Sequence, residues 1–195
     1  PSVTKRVSIE SGVSLGWDRW VDNREGAIMA IDRYGASAPA AEIFEAFGLT
    51  VIEAMSTGLP VFLHQRDAHD DFVEVLEPML PKIPRAVAHC FTGEHESLRE
   101  YLAMGLWIGI TGWICDERRG THMKEYMKDI PSDRLMIETD APYLKPRNLR
   151  PRIKSHRNEP RLLPWILGTL AACRNQHPEE LAEITTRNAM VFFRI

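Results

Sequence analysis

PVFLH (60–64), AVAH (86–89) and LMIETD (135–140) are three short apolar runs, and each ends on a side chain that can hold a metal: His64, His89 and Asp140. All three lie in the stretch Pro60–Asp140, which decides the reading of the chain. Parallel α/β architectures present functional side chains at the carboxyl ends of their strands, so three candidate ligands at three such ends mark a site. Imidazole and carboxylate suit Zn²⁺, Mn²⁺ or Mg²⁺, with histidine favouring the transition metals. Glu138, two residues before Asp140, shares its face if that segment is extended, and stands as a supporting acid or an outward charge.

Around these ends, strand-like runs at 60–64, 85–90, 106–111 and 134–138 alternate with helix-like stretches near 69–80, 94–104, 118–129, 159–174 and 178–192. Such alternation argues for parallel strands joined by crossover helices, an α/β fold. RDAHDDF (66–72) starts the first helix with acids in its first turn, and its His69 is read as a surface residue. RNEP (157–160) reads as a helix start with Asn158 as N-cap. Upstream, KRVSIE (5–10) and GAIMAID (26–32) read as strands. A helical stretch follows from Ser37 and Pro39 through Met55, closed by Gly58 and Pro60. These two strands and the helix are expected to extend the sheet.

The chain has 195 residues, three cysteines, a net charge of −3 and 44% hydrophobic residues. That charge argues for neither nucleic-acid nor membrane binding by the molecule as a whole, so any such site must be a local patch. Cys90, Cys115 and Cys173 form no C-x-x-C pair and read as buried small residues in a reducing, cytoplasmic setting. Neither a signal peptide nor a run of roughly 20 apolar residues is expected. Positive charge gathers after LMIETDAPYL: Arg147, Arg150, Arg152, Lys154 and Arg157 follow Lys145, and Arg118 and Arg119 lie upstream. Guanidinium forks suit phosphate, so this loop is the candidate contact for DNA ends.

From about Gly58 to Ile195 the wording resembles the carboxyl-terminal half of the TatD family of metal-dependent deoxyribonucleases. The shared motifs are PVFLHQRDAHDDF, AVAHCFTG, LWIGITGW, LMIETDAPYL, HRNEP and TTRNAMVFFRI. The resemblance implies the last four units of a (β/α)₈ barrel, with His64, His89 and Asp140 as ligands of a divalent metal (Mg, Mn or Zn). It also implies that Asp140 helps to activate the attacking water. It further implies an H-x-H pair from a first strand and a glutamate from a fourth; no H-x-H occurs here. Glu10 and Asp32 end the upstream runs without matching those positions.

Two further resemblances precede it. Residues from about Thr4 to Gly48, with RVSIESGVSLGWDRWV and DRYGASAPAAEIFEAFG, are similar to the transketolase carboxyl-terminal domain. EAFGLTVIEAMSTGLPVF (45–62) is similar to the nucleotide-sugar motif of retaining glycosyltransferases, in which Glu45 and Glu53 would contact the sugar nucleotide. The expectation is therefore a 1–57 β-β-α segment and a 58–195 half-barrel. Its function is that of a phosphodiester hydrolase scaffold with an incomplete metal site, impaired or inactive. A recombined or artificial chimera without catalysis is the alternative, and nucleotide-sugar binding a distant one. Open sheet edges are expected to favour self-association.

Overall fold

The computed structural model describes residues 7–10, 27–30, 58–151 and 153–195. The chain divides into two compact units, Pro1–Leu59 with Ile195, and Pro60–Arg194. In the first, β1 (Val7–Glu10) and β2 (Ala27–Ala30) pair in parallel from Val7↔Ala27 to Glu10↔Ala30. They form a two-stranded sheet of their own, where an extension of the larger sheet was expected. The expected helix after Ser37, the acids Asp32, Glu45 and Glu53, and Arg152 lie outside the described residues.

The second unit is built on β3 (Val61–His64), β4 (Ala86–His89), β5 (Trp107–Ile110) and β6 (Leu135–Ile137), all parallel in the order β3-β4-β5-β6. Each strand falls inside the run expected for it. β5 is buried along its whole length and β4 over its first three residues. Burial on both faces explains why these strands read as unbroken apolar runs instead of alternating ones. On one face Val87, Trp107 and Met136 pack against Phe192, with Ala189 alongside. Ile108 and Ile110 are fully buried on the other face. Burying one such side chain contributes about 1.5–3 kcal/mol.

Helices α1 (His69–Leu76), α2 (His95–Ala103), α3 (Leu163–Arg174) and α4 (Pro178–Phe193) flank the sheet. The first is shorter than the 69–80 expected. Pro78 and Pro81 divert the chain into a 3-10 turn over Glu77–Lys82, because proline has no N–H to continue an α-ladder. Helix α2 ends at Gly105, φ 80°, with Gly105 N–H donating to Leu102 O and Leu106 N–H to Tyr101 O.

The helix expected over 118–129 does not form. In its place stand 3-10 turns at His122–Glu125 and Met127–Asp129. Met123, Tyr126, Met127 and Ile130 are all buried there. Their spacings of three suit a 3-10 turn as well as an α-helix, so the apolar pattern does not separate the two.

Two side chains fasten this connection to the carboxyl-terminal helices. Arg174 Nη1 donates to Met127 O and Ile130 O, both at 2.7 Å, and Asn188 Nδ2 donates to Ser132 O at 2.6 Å and Leu135 O at 2.7 Å. Four backbone carbonyls are thereby satisfied.

Candidate metal centre at the strand ends

His64 and His89 are register partners at the carboxyl ends of β3 and β4. Because strand side chains alternate, both point to the face that carries Phe62 and Val87. Their rings lie 5.7 Å apart between centroids, tilted by 42°. His64 is exposed, whereas the His89 side chain keeps only 20% of its exposure.

Glu138 fixes His89. Its Oε2 lies 2.6 Å from His89 Nδ1, and its Oε1 accepts from Cys90 N–H at 2.7 Å. The carboxylate therefore crosses over β5 to reach β4. Gly109 makes this possible: a Cβ there would collide with Glu138 Oε1 and Cδ. A glycine inside a strand signals such a close approach. The Glu138 backbone continues the ladder through its N–H to Ile110 O at 3.0 Å.

Asp140 completes the group from the other side, with Oδ1 3.4 Å from His89 Nε2. It has φ 57°, a left-handed conformation that aspartate tolerates better than most residues, and its carbonyl accepts from Tyr143 N–H at 2.8 Å. Asn158, 1% exposed, pins this turn, its Nδ2 donating to Thr139 O and Tyr143 O, both at 2.7 Å. Asn158 thus clamps the Asp140 loop, whereas the sequence assigned it a helix N-cap. The 3-10 turn Pro160–Leu162 that precedes α3 has Glu159 at its cap and no side-chain capping bond.

The Glu138 hydrogen bond raises the His89 pKa above its ordinary value against the opposing effect of burial, and the charges of Glu138 and Asp140 add to the rise. With Nδ1–H directed at Glu138, the Nε2 edge facing Asp140 is the position at which a proton and a cation compete. A metal-ligating histidine oriented by a carboxylate on its other nitrogen has this same arrangement. Two donors of the kind that bind a divalent ion, His89 Nε2 and Asp140 Oδ1, meet at this edge. Among the described residues, however, no group of three or more His, Cys, Asp or Glu side chains is arranged to hold a metal. The structure brings His89, Asp140 and Glu138 together; His64 stands beside His89 and does not close the shell.

The remaining candidates serve other ends. His69 lies with Nδ1 3.1 Å from Tyr101 OH and Nε2 2.8 Å from Glu100 Oε2, tying the start of α1 to α2. Cys90 and Cys115 are buried, Cys173 only partly. Burial pushes the Cys90 thiol up to about 11. Of the cationic loop, Lys154 and Arg157 are exposed, Arg150 Nη1 donates to Leu149 O at 2.8 Å, and Arg147 faces Glu117 at 3.3 Å. The sequence reading missed what Asp116 does. It is 2% exposed and binds Arg118 Nη2 and Arg119 Nε, each at 3.0 Å, with Arg147 Nε at 3.5 Å.

The family described as TatD related DNase matches residues 24–194, beginning ahead of Gly58. The 3'-5' ssDNA/RNA exonuclease TatD of Erwinia billingiae is 52% identical over 159 residues, 82% of this chain and 60% of that protein. The protein of the same name from Pantoea vagans is 53% identical over 150 residues, 77% of this chain and 58% of that protein. The chain thus spans about 60% of the length of the curated relatives it matches. Among solved structures, the TatD homologue YjjV of Escherichia coli K12 superposes with TM-score 0.66 at 23% identity, over 86% of this chain and 64% of that one. A TatD family hydrolase of Entamoeba histolytica superposes with TM-score 0.67 at 17% identity, over 97% and 84%. At those identities the likeness shows the fold, and the family follows from the sequence matches: the chain belongs to the TatD-related DNase family.

Proposed function

We propose that this chain is a metal-dependent phosphodiester hydrolase of reduced capacity, acting on the ends of single-stranded nucleic acid through one divalent cation held by His89, Asp140 and His64. The observation that carries the reading is the Glu138–His89–Asp140 alignment, which presents Nε2 and Oδ1 side by side, 3.4 Å apart. When bound, the cation would lower the pKa of water and stabilise the phosphoryl oxygens. Asp140 takes up the proton of the attacking water, Glu138 holds the His89 ring, and the Arg147–Arg157 loop, with Arg150, Arg152 and Lys154, receives the DNA strand.

The four-stranded sheet is read as the last four units of a (β/α)₈ barrel. The family match from residue 24 favours a TatD origin for part of the stretch ahead of Gly58. RVSIESGVSLGWDRWV (6–21) is then the wording that a recombined chain has to explain. β3 and β6 end the sheet order and are the edges through which copies would associate. Phe62 and Phe193, each 46% exposed and stacked 5.7 Å apart, give that association an apolar surface. No helix among the described residues is long and apolar enough to cross a membrane.

One observation favours a second reading, a TatD fold without catalysis: no three-donor group forms among the described residues. The two are separated by following release of a labelled 3′ nucleotide from single-stranded DNA with Mn²⁺ or with a chelator. Metal-stimulated release that disappears in His89→Ala and Asp140→Ala supports the hydrolase; turnover no greater than in the chelated control establishes the inert fold.

A further inference from the structure

Beyond the strand-end centre, a cleft of about 720 Å³ opens between two loops, Gly112–Arg119 after β5 and Leu144–Arg150 after β6. Both loops leave carboxyl ends of the parallel sheet, the end that also carries His64, His89 and Asp140. Gly112 allows the loops to meet, since a Cβ there would collide with Leu144 O. Five cations line the cleft, Arg118, Arg119, Lys145, Arg147 and Arg150, against two carboxylates, Asp116 and Glu117.

Asp116 is what organises them. Its carboxylate is 3% exposed, holds Arg118 through Nε at 3.1 Å and Nη2 at 3.0 Å, and receives Arg119 Nε at 3.0 Å. One buried anion thus gathers three guanidiniums and uses only some of their N–H donors, as each arginine has five. Lys145 Nζ is held by Ile153 O and Ser155 O, so the ammonium is fixed at the rim. The fan of forked donors carries a net positive charge in a concave site, the electrostatic form of a phosphate receptor.

An aromatic group lies in the same cleft. Trp113 lines it, and the Arg119 guanidinium carbon sits 4.0 Å from the centre of its ring. The buried Trp113 Nε1 has no hydrogen-bond partner among the described residues, and the cleft meets the ring of Trp113. Guanidiniums beside an aromatic platform are how single-stranded nucleic acid is held without sequence readout.

We infer that this cleft is a nucleotide-binding subsite, in which Arg118, Arg119 and Arg147 grip a backbone phosphate and Trp113 contacts the adjoining base. It rests on the nucleic-acid reading above and names where the strand is held while its end reaches His89 and Asp140. Asp116 is a positioning residue: it touches no ligand and sets the guanidiniums.

The test is fluorescence anisotropy of a short labelled oligothymidylate on the full chain in EDTA, so that binding is read without turnover. Arg147→Gln, an exposed change that leaves Asp116 two arginines, weakens binding by at least about fivefold and lowers the slope of log K against log salt by about 0.7. Trp113→Leu, which removes the aromatic face and keeps an apolar side chain, weakens binding with an unchanged salt slope. Deoxythymidine monophosphate displaces the oligonucleotide at lower concentration than inorganic phosphate. Wild-type affinity in both variants, each folded by circular dichroism, overturns the proposal, and so does equal competition by phosphate and the nucleotide. Binding without cleavage would sink the hydrolase reading alone; cleavage by a chain whose binding ignores Arg147 would sink the subsite alone.

Discussion

Glu138 spans from β6 to β4 and binds both the ring and the neighbouring backbone of the His89 segment, with Oε2 2.6 Å from His89 Nδ1 and Oε1 2.7 Å from Cys90 N. One carboxylate thereby fixes the ring orientation of a candidate ligand and satisfies a backbone donor in a positive-φ turn, Cys90 having φ 50°.

Replacing Glu138 should therefore have two separable effects. Glu138→Gln retains hydrogen-bonding capacity but removes the charge, and is expected to weaken Mn²⁺ binding by about 10–100-fold while the fold survives. Glu138→Ala also orphans the Cys90 N–H and should cost about 1–3 kcal/mol in urea unfolding. Calorimetry and urea titration on the same two variants separate the two effects.

The raised pKa of His89 has a defined sign in stability. The folded state holds the proton more tightly than the unfolded chain, where the ordinary value is 6.5. The contribution is fully present below that value and is lost as pH rises through the higher folded pKa. In EDTA, the urea midpoint should fall across this window in the wild type and be flatter in Glu138→Gln. Metal affinity runs the opposite way, strengthening with pH as the proton leaves Nε2.

Gly109→Ala offers a test by geometry alone. A methyl group there meets the Glu138 carboxylate, so the side chain must leave His89. An overpacking cost of about 1–3 kcal/mol is expected, together with loss of the pH-dependent component just described. Stability equal to wild type with an unchanged pH profile would contradict the packing described here.

Asp116 acts at the acid end. Hydrogen bonds from Arg118, above all, hold its carboxyl well below the usual carboxylate range against the cost of burial. Its contribution is present above the ordinary value of 3.8 and is lost as pH falls toward the depressed folded value. Asp116→Asn should remove that acid-limb loss and cost about 1–3 kcal/mol at neutral pH, measured by thermal unfolding across the acid range.

Particular residues show how far the sequence could be read. The strand ends were legible because each apolar run stops at a side chain of a different kind: His64, His89 and Asp140. Their supports were harder to see. Glu138 shares their face by strand alternation, but its reach to His89 depends on Gly109, a residue of another strand. Asn158 read as a helix N-cap, and only the folded chain shows the carbonyls that it and Asn188 satisfy. The 118–129 segment misled because its apolar spacings fit either of two helices. Asp116 carries no sign of its role in the sequence, since nothing local foretells that Arg147 will return to it from the loop after β6.

The central claim is that His89 Nε2 and Asp140 Oδ1 form one edge of a cation site. The direct measurement is anomalous difference density from crystals soaked in Mn²⁺. A single peak is expected within bonding distance of both atoms, with His64 turned toward it, and lost in Asp140→Ala. A saturated soak that leaves no peak between His89 and Asp140, or that places the ion elsewhere on the sheet, would contradict it.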